Sequence, residues 1–171
     1  MGRHGVLVID SDFYPSRASE DIALVRKVTS RPIRWLVNPH WHGDHTHGNA
    51  VYRRAFPGLE IVGARPNAHF ISLNQARFPR SVLADSSQLR RQLANHERLL
   101  ARGADSAGKP LTEAERRLLA GVIEEERVWL REFAAVEVAA PSVLFDGVHR
   151  IDLGGTTVEL RDWGRANSPA E

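Results

Sequence analysis

The run His40-Trp41-His42-Gly43-Asp44-His45 decides how this sequence is to be read. It places four potential metal ligands within six residues, directly after an apolar stretch that ends at Val37. On an extended segment, residues two apart share a face. His40 and His42 are therefore expected to present both imidazoles to one side while Trp41 turns the other way into packing. Gly43 is expected to let the chain turn sharply, which returns Asp44 and His45 to the same space. Imidazole and carboxylate ligands suit zinc, and also iron or manganese. The position just past the C-terminal end of a strand is where open α/β sheets hold their sites. A lone histidine in such a loop is usually a surface or hydrogen-bonding residue, but three histidines and an aspartate at this spacing call for a metal.

The flanks supply the frame. Val6-Leu7-Val8-Ile9 is a continuous apolar strand ended by Asp10-Ser11,. Ser19 is a good N-cap, Glu20 and Asp21 suit a first helical turn, and Ile22, Leu24, Val25 and Val28 offer an apolar side,. Ile33 to Val37 forms a second strand, and Pro39 discourages helix at Asn38. A short helix over 48–56, a strand over 60–63 and another short helix over 67–75 follow. Strand, helix and strand at this spacing predict an α/β (α+β layered) sheet.

From about 86 to 135 the chain is made of helix formers, broken at Gly103 to Pro110. Leu89, Leu93, His96 and Leu100 share one side of the first segment. The second opens with the capping box Thr112-x-x-Glu115 and repeats Leu118, Leu119, Val122, Ile123, Trp129, Leu130 and Phe133 at helical spacing,. Two antiparallel helices are expected. After Pro141, the runs 143–145, 149–153 and 156–163, separated by Asp146-Gly147 and Gly154-Gly155, predict an antiparallel meander,.

At 171 residues the chain is one domain long, and 42% hydrophobic with 26% charged residues is ordinary globular composition,. Lys plus Arg number 23 against 21 Asp plus Glu, a formal charge of +2. That balance does not point to nucleic acid or to a membrane surface as partner. Without cysteine, a metal site must come from His, Asp, Glu or Asn,. No run approaches the ~18 apolar residues of a membrane span, and the N-terminus lacks the apolar stretch of a signal peptide, so a soluble, cytoplasmic protein is expected.

The central run resembles the His-x-His-x-Asp-His signature of the metallo-β-lactamase superfamily. Val6 to Ser11, Asn38-Pro39, Thr46, Gly48-Asn49 and the later hairpin running into Gly164-Arg165 are similar to the superfamily as well. The resemblance covers nearly the whole chain except the helical hairpin. It implies a metallo-β-lactamase-like αββα sandwich, partial, forming a single domain over 1–171 with a helical-hairpin insertion at about 86–135. It also implies two zinc ions, one held by His40 and His42 and a second by Asp44 and His45, with Asp44 helping to orient a metal-bound hydroxide. The expected function is that of a zinc hydrolase acting on an ester, thioester, lactone or β-lactam-like bond of a small molecule. A phosphodiesterase or nuclease, and a catalytically inactive metal-binding remnant, stand as alternatives.

Three features depart from that pattern. Where the superfamily carries its next histidine, in a Gly-Arg-x-His segment, this chain has Asn167. The sequence stops four residues later, and the strands that usually precede Val6 are missing. A domain shortened at both ends, weakly active or inactive alone, is the expectation. The apolar stripe of the hairpin is expected to cover the rim of the site or to pair with a second copy as a homodimer. Of the other residues, His47 is a lesser candidate for the site, and His69, His96 and His149 are expected to be structural or exposed. Trp35 and Trp163 are expected to pack in the core or at the rim. Arg77, Arg80, Arg90 and Arg91 are expected to form a solvated helix start.

Overall fold

The computed structural model describes residues 1–75, 77 and 86–170, so Arg80 lies outside the described residues. Two compact units divide the chain, Met1–Phe78 with Val136–Glu171 in one and Pro79–Ala135 in the other.

The first unit is built on a four-stranded parallel sheet in the order β1 (Val6–Ile9), β2 (Ile33–Asn38), β3 (Glu60–Ala64), β4 (Val143–Phe145). Between the strands lie α1 (Pro15–Val28), α2 (Gly43–Thr46) and α3 (Asn49–Ala55). After β3 come α4 (Arg65–Phe70) and a π-helical turn, Ile71–Gln75. The apolar strand runs are long because both faces of the sheet are covered. Val6, Ile33, Leu36 and Ile61 face α1 and α3, where Ala18, Ile22, Ala50 and Tyr52 complete one core. Leu7, Trp35, Val37 and Val62 face the other way. There they meet Ile151, Val158 and Leu160 of an antiparallel hairpin, β5 (Val148–Asp152) and β6 (Thr157–Arg161). Burial of each Leu or Ile in these layers stabilises the fold by about 1.5–3 kcal/mol.

Several sequence expectations are corrected here. β4 does not belong to an antiparallel meander. It pairs parallel to β3, and the left-handed Gly147 (φ 69°) then redirects the chain into the separate β5–β6 hairpin. Sequence patterning marks a strand but not its neighbour, and β4 arrives from a distant part of the chain. Helix α1 begins at Pro15 rather than after Ser19. Proline at the first turn loses no hydrogen bond, and the Ser19 hydroxyl instead donates back to the Pro15 carbonyl at 3.1 Å. Its buried stripe is Pro15, Ala18 and Ile22, while Leu24 and Val28 face solvent. Trp35 packs in the second core, but Trp163 is 81% exposed.

The second unit is a pair of helices, α5 (Ser86–Arg102) and α6 (Glu113–Ala135). The predicted capping box is formed: Thr112 N donates to Glu115 Oε2 at 2.7 Å, and Glu115 N donates to Thr112 Oγ1 at 3.3 Å. Arg116 Nη2 donates to the Gly103 carbonyl at 3.5 Å near the connecting loop, and His96 meets Glu126 at 3.0 Å further along, so the two helices run antiparallel. No helix among the described residues is long and apolar enough to cross a membrane.

Candidate metal centre

The site is assembled at the C-terminal ends of β1 and β2. Their parallel register pairs Ile9 with Val37, so Asp10, the first residue past β1, lies beside Asn38, the last residue of β2. Asp10 N donates to the Val37 carbonyl at 3.0 Å. Asp10 and Asp12 both adopt the left-handed conformation, at φ 70° and 78°. Aspartate is among the few residues that tolerate this region.

After Asn38 and Pro39 the chain does not stay extended through the motif. His42 is extended (φ −64°, ψ 156°), and the one-turn helix α2 starts at Gly43. Gly43 is needed for space rather than for a turn. A Cβ there would lie 2.5 Å from Cε1 and Nε2 of the buried His47 ring. Gly48 is tighter still, since a Cβ would fall 1.8 Å from the Ser11 carbonyl oxygen and 2.6 Å from Ala18 Cβ. The Thr46 hydroxyl donates to the His42 carbonyl at 2.7 Å, tying the small helix to the loop before it.

His40, Asp44 and His45 bring three ligand atoms within 4.8 Å of one another. His42 lies outside that trio but is joined to it, with its Nδ1 3.0 Å from His40 Nε2. His40 is nearly buried and its ring centroid is 4.2 Å from that of His45. The His45 ring lies between two carboxylates. Its Nδ1 is 2.6 Å from Asp10 Oδ1, and its Nε2 is 3.2 Å from Asp44 Oδ2. Trp41 packs on Phe70 at 5.6 Å and on the edge of His42 at 4.5 Å.

Sequence reasoning missed the groups that hold this loop. The His45 carbonyl accepts three hydrogen bonds: from Ser11 N, from Ser11 Oγ (both 3.1 Å) and from Asn38 Nδ2 (2.9 Å). Asn38 and Asn49 are fully buried and exchange reciprocal amide hydrogen bonds of 3.0 and 2.8 Å. Asn49 also donates to the Ala139 carbonyl at 2.9 Å. The buried Asn67 donates to the carbonyls of Pro39, at 3.4 Å, and Ala170, at 2.8 Å. The strand run ending in Asp10-Ser11 is the signal that could have found the first of these. Asp10 lies one residue past the last apolar position of the strand beside the motif.

His47 is buried, stacked 5.3 Å from the Phe13 ring, and its Nδ1–H donates to the Phe13 carbonyl at 3.2 Å. Burial lowers its pKa, against smaller opposing effects of that carbonyl and of Asp44. It supports the loop from behind and is not one of the three clustered ligand atoms. Asn167, the residue at the departing histidine position, comes back to the site, its Nδ2 3.5 Å from His42 Nδ1. His69 is exposed, His96 pairs with Glu126 at 3.0 Å, and His149 stacks on Phe145 at 5.7 Å. None of the three belongs to the clustered ligand group found among the described residues.

No known protein-family model matches the chain. Among solved structures it is similar to a metallo-β-lactamase from Pontibacter korlensis. The TM-score is 0.55 with 15% identity, covering 96% of this chain and 46% of that one. A subclass B3 metallo-β-lactamase of Bradyrhizobium japonicum gives 0.53 and 16%, covering 99% and 45% respectively. The chain carries a metallo-β-lactamase fold. A stereoselective inverting sec-alkylsulfatase from Pseudomonas sp. is similar to it as well, at TM-score 0.54 and 17% identity, with 100% of this chain and 25% of that one covered. The chain thus spans less than half the length of these metallo-β-lactamase-fold proteins.

Proposed function

We propose that this metallo-β-lactamase fold binds zinc through His40, His42, Asp44 and His45 and acts as a metal-dependent hydrolase on a small-molecule ester, thioester, lactone or β-lactam-like bond. One observation carries the reading: the four side chains meet in two pairs, His40 with His42 at 3.0 Å and Asp44 with His45 at 3.2 Å. Two donors on one tetrahedral zinc, each about 2.0–2.1 Å from it, stand roughly 3.3 Å apart. Both pairs are close to that spacing, and nitrogen with carboxylate oxygen is a donor set that zinc accepts.

The surrounding residues suit this role. Asp10 Oδ1 lies 2.6 Å from His45 Nδ1, and with Asp10 accepting from Nδ1–H the Nε2 lone pair would be left to hold a metal beside Asp44. A carboxylate behind a ligating imidazole fixes its tautomer and raises its basicity. The three hydrogen bonds to the His45 carbonyl hold the backbone on which that ring is mounted. Asp44, with a 61% exposed side chain, is open to accept a hydrogen bond from an attacking water and to orient it. When bound, the metal supplies Lewis acidity and lowers the pKa of a coordinated water to about 7. Asn167 contributes an amide near His42 where an imidazole would bind a metal more strongly.

Elemental analysis of purified wild type and of His45→Ala and His42→Ala/Asp44→Ala variants tests the site, with circular dichroism to confirm folding. Zinc in the wild type and its loss in both variants is expected, and equal content in all three would sink the proposal. Turnover of a panel of esters, thioesters, lactones and β-lactams with added zinc, abolished in His45→Ala, tests the activity.

A further inference from the structure

A cleft of about 450 Å³ opens beside β1 and α1, next to the metal centre. Its polar lining is acidic: Asp12 and Asp21 stand with Asp10 and Asp44, and no basic side chain lines it among the described residues. Apolar groups complete the walls, including Ile9 and Leu24, which are 56% and 55% exposed. Large exposed aliphatic side chains beside a carboxylate cluster make a surface with two chemistries, one for a cation and one for a hydrocarbon.

Tyr52 supplies the independent observation. It lines the same cleft and is fully buried, yet its hydroxyl has no hydrogen-bond partner. A buried hydroxyl left unsatisfied is destabilising, and native proteins rarely leave one without a reason. Burial, and then the charges of Asp21 and Asp12, push its ionisation upward, so the phenol stays neutral with its oxygen available as an acceptor.

We propose that this cleft binds the ammonium group of an aliphatic amine, with Asp12, Asp21 and the Tyr52 hydroxyl oxygen as its three acceptors. A primary ammonium carries three N–H donors and no acceptor, which matches that set in number and charge. The alkyl chain lies along Ile9 and Leu24, whose burial adds hydrophobic stabilisation. A bare divalent ion fits less well. Among the described residues, only His40, Asp44 and His45 converge tightly enough to form an ion-sized group of ligands. The amine site stands whether or not the metal reading holds, because its binding groups are separate from the proposed ligands.

The test uses the whole chain, metal-free and ¹⁵N-labelled, titrated with n-butylammonium chloride and followed by amide shifts and calorimetry. Saturable shifts at Asp12, Asp21 and Tyr52 are expected, weakening as salt is added. Losing one charge-assisted hydrogen bond in Asp21→Asn should weaken binding about 10-fold. Tyr52→Phe should weaken it roughly 3-fold or more while leaving the apo protein at least as stable, since it deletes an unsatisfied buried group. n-Butyltrimethylammonium, which has no N–H donor, should bind about 10-fold more weakly than n-butylammonium. The proposal is overturned by the absence of saturable shifts. It is equally overturned if calcium chloride binds there and the amine does not, or if Asp21→Asn and Tyr52→Phe both bind like wild type.

Discussion

Asn49→Ala tests whether the metal loop is held by buried amides. Asn49 Nδ2 donates to Asn38 Oδ1 at 2.8 Å and to the Ala139 carbonyl at 2.9 Å, and its Oδ1 accepts from Asn38 Nδ2 at 3.0 Å. Both asparagines are fully buried. Alanine removes all three bonds and leaves two buried acceptors, Asn38 Oδ1 and the Ala139 carbonyl, without these donors. Each such loss costs about 1–3 kcal/mol. Water entering the space left by the side chain offsets part of that, so a net loss of at least about 2 kcal/mol is expected. For a chain of this size that corresponds to a fall in Tm of roughly 4–8 °C. A second consequence concerns the site. Asn38 Nδ2 also donates to the His45 carbonyl, so loosening Asn38 should weaken zinc binding by about 10-fold, as loss of outer-shell support does elsewhere,. Urea unfolding followed by circular dichroism measures the first effect and competition with a chromogenic chelator the second. A loss below about 0.5 kcal/mol, the range of surface substitutions, with unchanged zinc affinity would refute the reasoning.

Two further predictions follow from particular residues. Burial lowers the His47 pKa below its ordinary 6.5, so the unfolded chain takes up this proton before the folded protein does. The stability from His47 is therefore complete above about pH 6.5 and is lost as pH falls from there toward the lowered folded value. Urea midpoints of metal-free wild type should decline more steeply than those of His47→Gln between about pH 7.5 and pH 5, and parallel declines would contradict this. On α6, Leu118 is 71% exposed in an otherwise amphipathic stripe. If the hairpin pairs with a second copy, Leu118→Glu should shift size-exclusion elution toward the monomer, whereas an elution volume identical to wild type at every concentration would count against pairing.

The local choices were legible in the residues. The continuous apolar run at Val6 and the strand pattern from Ile33 to Val37 announced two strands, and both are found in the parallel sheet between two cores. The capping box at Thr112 and Glu115 announced where α6 begins, because both of its hydrogen bonds close within one helical turn. The run His40 to His45 announced a dense group of ligand side chains, and His40, Asp44 and His45 do bring ligand atoms within 4.8 Å of one another.

What the sequence left open depends on which distant segments meet. β4 looked like the first strand of a meander because its nearest strand neighbours in the chain are β5 and β6, but its partner is β3, some eighty residues earlier. Gly43 looked like a turn residue, yet it is glycine because the His47 ring occupies the space of a Cβ. Asp10, thirty-five residues before His45, reaches that ring only through the parallel register of β1 and β2. The Asn38–Asn49 pair and Asn67 are ordinary polar residues in one dimension, and become supports of the site only when burial leaves them no water to bond. Period and propensity act over a few residues and are written locally. Register, close approach and desolvation belong to pairs of segments, and only the folded chain decides them.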